Sequence, residues 1–173
     1  MGYKDITFAV NISGKQLQGF EDVERIISIV ESVGCPKELI KLELTESMMM
    51  HPTTELLESF KKLKEEGFKL ALDDFGTGYS SFSYLKKLPL DYLKIDASFV
   101  RDLQKSKNDL FILKSIINLA HGLNLISIAE GVEKEEELKV LKFLGCDIIQ
   151  GYYFSKPLNP QTFEKYLKNF NEN

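Results

Sequence analysis

Cysteine and histidine are scarce in this chain, two of each in 173 residues. Cys35 and Cys146 stand alone, without the paired spacing of a zinc site, and read as reduced, packed thiols rather than a disulfide framework. His51 falls in a turn and His121 near a helix end, where a surface role is expected. There is no nucleophile-elbow or phosphate-loop signature, so covalent acyl chemistry and P-loop phosphate binding lack their parts. No run of eighteen apolar residues occurs and the start has no signal-peptide pattern, so the expected location is cytoplasmic, with a membrane anchor in a longer parent left open. Excess positive charge is missing too. A net charge of −4 argues against a general nucleic-acid binder, and no DNA partner is expected. Lys61, Lys62, Lys64, Lys86 and Lys87 read as solvated surface. What the chain does have is 43% hydrophobic residues, enough for one globular domain with a sizeable core.

Against that background the run Leu70-Ala71-Leu72-Asp73-Asp74-Phe75-Gly76-Thr77-Gly78-Tyr79 stands out. An apolar strand ends in two adjacent carboxylates and a glycine-punctuated loop. Neighbouring carboxylates repel and each loses hydration on burial, so such a pair at the mouth of a strand calls for a compensating cation. Hard oxygen ligands favour Mg²⁺ or Mn²⁺. The alternative is an Asx-type turn with both aspartates solvated.

The pattern recurs. Strand-like runs lie near Thr7 to Ile12, Ile40 to Thr45, Phe68 to Asp73, Tyr92 to Asp96, Leu125 to Ala129 and Asp147 to Gln150. Helical spacing follows over Asp22 to Val33, Thr53 to Glu66, Ser80 to Leu88, Asp109 to His121, Lys134 to Leu144 and Pro160 to Phe170. Asn108 is the expected N-cap of the fourth of these and Gly122 its stop, with Gly145 closing the fifth and proline opening the sixth. Six strand-helix repeats imply parallel strands joined by crossover helices, in an open doubly wound sheet or part of a barrel. Polar residues at the strand ends favour the barrel, because Asn11, Glu43, Asp73 with Asp74, Lys94 with Asp96, Glu130 and Gln150 converge only if the sheet curls round an axis. Alternation puts Tyr92, Lys94 and Asp96 on one strand face, and turns Glu43 away from Leu42 and Leu44. Lys94 and Asp96 read either as a structural ion pair or as a lysine held over an anionic substrate.

The segments VNIS, LELTES, LDDFGTGYSS, LPLDYLKID, AEGVE and QGYYFSKP, in this order from Phe8 to about Pro157, resemble the EAL domain, a bacterial phosphodiesterase family that cleaves cyclic di-GMP to the linear dinucleotide pGpG. The resemblance implies an α/β fold, a TIM-type (β/α) barrel, mostly parallel. It implies that Asn11, Glu43 and Asp73 ligate one Mg²⁺ or Mn²⁺ ion, with Asp73 and Asp74 serving a second and Glu130 at the metal and water site. Lys94 matches the lysine on the catalytic water, making Lys94 and Glu130 the expected catalytic pair. Asp96 and Gln150 match further polar positions of the cavity, and Glu46 the glutamate that steadies the loop after the paired aspartates. A two-metal site of this kind supplies an acidified water and relieves phosphate charge.

One departure shapes the expectation. The family's Glu-Ala-Leu motif, in a strand ahead of everything matched here, has no counterpart, and a full barrel takes about 250 residues. Residues 1–173 therefore read as a truncated domain of about six of eight strands, lacking the motif glutamate and a nearby substrate-gripping arginine. Upstream sensory or diguanylate cyclase domains are expected from the resemblance alone. Two other readings stay open: a catalytically silent cyclic di-GMP receptor, and a dimerisation module working through the helix after DDFGTG. Tyr152, Tyr153 and Phe154 offer a stacking aromatic for a guanine, with core packing for two of the three the competing reading. An open sheet exposes two edges that proteins normally cover, so self-association into a homodimer is expected; light scattering across a concentration series checks it, and a strict monomer throughout overturns it.

Overall fold

The computed structural model describes residues 6–49, 52–76, 85–101 and 107–170. Six strands form one sheet: β1 (Phe8–Ile12), β2 (Ile40–Thr45), β3 (Lys69–Phe75), β4 (Tyr92–Ile95), β5 (Ile126–Ala129) and β6 (Ile148–Ile149). Every neighbouring pair is parallel, and the spatial order equals the chain order. A doubly wound sheet reverses its order at a switch point. This one never reverses, which is barrel winding. The sheet is not closed: among the described residues β1 and β6 each pair on one side only.

The helices are α1 (Phe20–Ser32), α2 (Thr54–Glu65), α3 (Lys107–Gly122), α4 (Glu135–Leu144) and α5 (Pro160–Phe170). Thr53 caps α2, its hydroxyl accepting from the Leu56 N–H at 3.1 Å, and Asn159 does the same for α5 through the Thr162 N–H at 2.9 Å. Gly145 closes α4 in the left-handed conformation. Two expectations for α3 fail. Asn108 lies inside the helix rather than capping it. Its stop is Asn124, left-handed at φ 58°, while the Leu125 N–H donates to the Ala120 carbonyl at 2.9 Å. Gly122 remains helical because asparagine supplies the same turn two residues later. The expected helix from Ser80 to Leu88 and His51 fall, wholly or mostly, outside the described residues.

Strand alternation divides the sheet into two chemistries. The outward face presents Leu42, Leu44, Leu70, Leu72, Leu93 and Ile95, which pack with Val23, Ile27, Phe60, Leu63, Leu113, Ile117 and Leu141 of the helices in one buried core. The inward face carries Lys41, Glu43, Ala71, Asp73, Tyr92 and Lys94, aligned by the registers Glu43 with Ala71 and Ala71 with Tyr92. At the N-terminal ends, Asp147 anchors β5 to β6, accepting from the Ser127 N–H at 2.8 Å, the Ser127 hydroxyl at 2.6 Å and His121 at 2.9 Å. Lys64 is no free surface lysine. It binds Asp91 at 2.6 Å and 2.7 Å, and Asp91 also accepts from the Leu70 N–H. Tyr152, Tyr153 and Phe154 are all exposed, so none of the three is core.

β3 departs from regular pairing. Between Leu72 and Phe75 its register against β4 shifts, and Asp74 takes a left-handed φ of 56°. This bulge decides where the two aspartates point, because it breaks the alternation that would send neighbouring side chains to opposite faces. It is followed by Gly76 at φ 99°, where a β-carbon would lie 2.6 Å from the Phe99 ring. Gly76→Ala is therefore expected to destabilise the fold by about 1–3 kcal/mol through backbone strain and collision together. Chemical denaturation checks this, and Phe99→Leu in the same background should recover only the collision part.

Candidate metal and phosphate site

The C-terminal ends of β2 to β5 bring four ionisable side chains to one place. Lys94 of β4, 3% exposed, directs its ammonium at Glu43 (2.7 Å), Asp73 (2.7 Å) and Glu130 (2.9 Å). Burial pulls the ammonium down, yet its hydrogen bonds to Asp73, Glu43 and Glu130 outweigh burial, and its pKa stands above the ordinary lysine value. One ammonium cannot neutralise three carboxylates. Burial accordingly holds the Glu130 carboxyl above its usual range despite Lys94.

Beside this hub lies the oxygen cluster. Asp73, Asp74 and Glu130 each offer a carboxylate oxygen, all within 4.8 Å of one another. The bulge makes this possible: Asp73 and Asp74 are adjacent in sequence and yet serve one point. Partial loss of hydration and the neighbouring charges of Asp73 and Asp96 push the Asp74 carboxyl up, the electrostatic signature of anions gathered without enough cation. An all-oxygen donor set of this size fits a divalent cation such as Mg²⁺, Mn²⁺ or Ca²⁺. Asp73, Asp74 and Glu130 would hold it.

The other sequence-predicted residues take distinct places. Buried Glu46 accepts a hydrogen bond from the Gly76 N–H at 3.1 Å, tying down the turn after the two aspartates. Asp96 caps the short turn Ala97–Phe99, accepting from the Ser98 N–H at 2.9 Å; the Ser98 hydrogen bond holds its carboxyl below the usual range. Asn11 lies level with Glu43 on the edge strand, where it is exposed. Gln150 follows β6 and lines a cavity of about 280 Å³ together with Glu130, Arg101, Glu133, Ala97 and Tyr152.

Two features escaped the sequence reading. Arg101, 3.9 Å from Glu133, joins the mouth from the turn after β4, and nothing local in the sequence marks it. Lys41 is different. It stands two residues before Glu43, so alternation alone puts it on the inward face; it is buried, with its ammonium 4.3 Å from the centre of the Tyr92 ring.

Known proteins share this arrangement of strands and sequence. The family model described as EAL domain matches residues 1–157. Among curated proteins, the cyclic di-GMP phosphodiesterase NbdA of Pseudomonas aeruginosa is 38% identical over 167 residues, 96% of this chain and 21% of its own length. The EAL enzyme Bd1971, solved with cAMP and cyclic di-GMP bound, superposes with a TM-score of 0.89 at 37% identity, over 93% of this chain and 43% of that one. Klebsiella pneumoniae BlrP1, solved with manganese and cyclic di-GMP, gives 0.80 at 32% identity, over 87% and 39%. The chain thus spans about a fifth of the length of the curated relatives it matches. Among the described residues no helix is long and apolar enough to cross a membrane.

The raised Glu130 carboxyl fixes a sign. A folded state that binds a proton more readily than the unfolded chain loses stability as pH rises above the ordinary carboxyl value of 4.5 and regains it as pH falls. With chelator present, Glu130→Gln should melt a few degrees above the wild type at neutral pH, with the gap closing on acidification. Thermal unfolding across pH reads this directly; a gap that widens toward acid contradicts it.

Proposed function

This chain belongs to the EAL domain family, and we propose that it hydrolyses one phosphodiester bond of cyclic di-GMP to give the linear dinucleotide pGpG, with Mg²⁺ or Mn²⁺ as cofactor. The observation that carries the reading is the convergence of Asp73, Asp74 and Glu130 within 4.8 Å beside the buried ammonium of Lys94. Relatives named for cyclic di-GMP hydrolysis, or solved with that nucleotide, support the substrate. Bound divalent cations would supply an acidified water and offset the phosphate charge.

The chain's own residues divide the remaining work. Asp73, Asp74 and Glu130 hold cation on one side; Glu43, with Asn11 level beside it, offers oxygen on the other. Lys94 holds Glu43, Asp73 and Glu130 at fixed distances, so the carboxylates are oriented before substrate arrives. In the transition state its charge lies where the phosphoryl oxygens gain negative charge. Attack of water on phosphorus breaks the bond to the 3′ oxygen, leaving a free 3′-hydroxyl and a 5′-phosphate, the ends of pGpG. Glu46, through Gly76, keeps the aspartate turn in place. The cavity bounded by Arg101, Gln150 and Tyr152 takes the nucleoside next to the reacting phosphate: Tyr152 offers a ring for stacking and Arg101 a fork for acceptor oxygens.

Residues 1–173 act, in this reading, as the phosphodiesterase portion of a longer regulatory protein, as a homodimer and in the cytoplasm. One observation favours a second reading. Asn11 sits exposed on an open sheet edge, so part of the expected ligand set is solvated, and a nucleotide could bind without turnover. Incubation of cyclic di-GMP with the chain and Mn²⁺ separates the two. Turnover that falls at least about a hundredfold in Asp73→Asn establishes hydrolysis; binding with no pGpG establishes the receptor; neither binding nor product overturns both.

A further inference from the structure

The barrel interior contains two buried lysines with opposite surroundings. Lys94 meets three carboxylates. Lys41, 8% exposed, meets none within ion-pair reach among the described residues; its ammonium lies on the π-face of Tyr92, 4.3 Å from the ring centre. The contact spans β2 to β4 across β3, where Ala71, in register with Tyr92, presents only a methyl, while Lys69, in register with Lys41, has its ammonium 3.8 Å from Asp91. Burying an ammonium without an anion costs several kcal/mol, and a cation–π contact returns about 2 kcal/mol when desolvated. A leucine or methionine would pack there at lower cost. The charge itself therefore needs a reason.

The charge balance of the site supplies one. Glu43, Asp73, Asp74 and Glu130 carry four negative charges against the single positive charge of Lys94, and Lys41 feels Glu43, Lys94 and Glu130 through space. A cluster so negative binds cations avidly and repels a phosphodiester. A second fixed cation beneath it moderates both effects without occupying a carboxylate. We propose that Lys41, seated on Tyr92, is a built-in counter-charge that weakens divalent-cation binding and eases entry of the anionic substrate. It touches neither, and so acts as a positioning residue through the field it imposes on Glu43 and its neighbours. The inference rests on the reading that these carboxylates hold divalent cations.

Calorimetric titration of Mn²⁺ into the full chain tests it. Lys41→Met keeps the length and apolar stem while removing the charge, and should tighten Mn²⁺ on the order of tenfold, since the charge acts through space on Glu43 and Glu130 at an effective dielectric of about 20. Lys41→Arg keeps the charge and should bind Mn²⁺ like the wild type. With cyclic di-GMP at saturating Mn²⁺, Lys41→Met should raise KM several-fold with kcat changed far less. A merely structural lysine predicts lower melting temperature in both variants with Mn²⁺ affinity unmoved, and that result overturns the proposal. Should Lys41→Met fail to fold, Lys41→Gln carries the same expectation. If the wild type binds no Mn²⁺ at all, the cation reading of the site falls, and this inference with it; equal affinities across the three proteins remove Lys41 alone.

Discussion

The contact on which the site depends is the triple ion pair of Lys94. Glu43 comes from β2, Asp73 from β3, Lys94 from β4 and Glu130 from the end of β5, so four consecutive strands meet at one nitrogen. Like-charged groups on neighbouring parallel strands would otherwise splay the mouth of the sheet. The ammonium converts that repulsion into a tether, and it is buried enough for the tether to resist solvent screening. It does so incompletely, as the upward-shifted carboxyls of Glu130 and Asp74 record. The residual negative charge is what makes the cluster receptive to a cation: fold and chemistry draw on the same imbalance.

Much of this was legible in the sequence because two periods suffice for it. Apolar runs of strand length alternating with helical spacing place all six strands and five of the six helices, the helix from Ser80 to Leu88 lying mostly outside the described residues; β2 and α5 match to the residue, and other boundaries move by one or two positions where caps and turns decide. Glu43 and Lys94 could be aimed at one another from alternation alone. The bulge could not, since period-two reasoning sends Asp73 and Asp74 to opposite faces, and only a left-handed aspartate brings them together. Arg101 enters from a turn whose path depends on tertiary packing. Asn124 displaced Gly122 as a helix stop because asparagine and glycine compete for the same backbone region. Tyr152, Tyr153 and Phe154 sit on the surface, Tyr152 lining the cavity beside Glu130, and apolar character says nothing about depth.

Order along the sheet also matters for reach. Neighbours in space are neighbours in sequence, so each site residue is delivered by one strand-helix unit and the next unit supplies the adjoining wall. The edges are unequal: β1 exposes Phe8 and Val10 on its outer face, 49% and 43% accessible, while β6 is only two residues long. A short strand offers little template for pairing, whereas β1 offers five residues of backbone. The two open sides of this sheet are therefore not interchangeable as surfaces for a partner segment.

Asp74 concentrates three unfavourable terms in one residue: a left-handed backbone, a partly desolvated carboxylate, and like charges nearby. Glycine would relieve all three at once. Under selection for thermal robustness alone this position would be among the first to change, and the change would remove one of three clustered oxygens. Its retention in a lineage would thus record continuing demand on the chemistry of the site, in a way that the well-packed leucines of the core, useful to any sequence of this fold, never could.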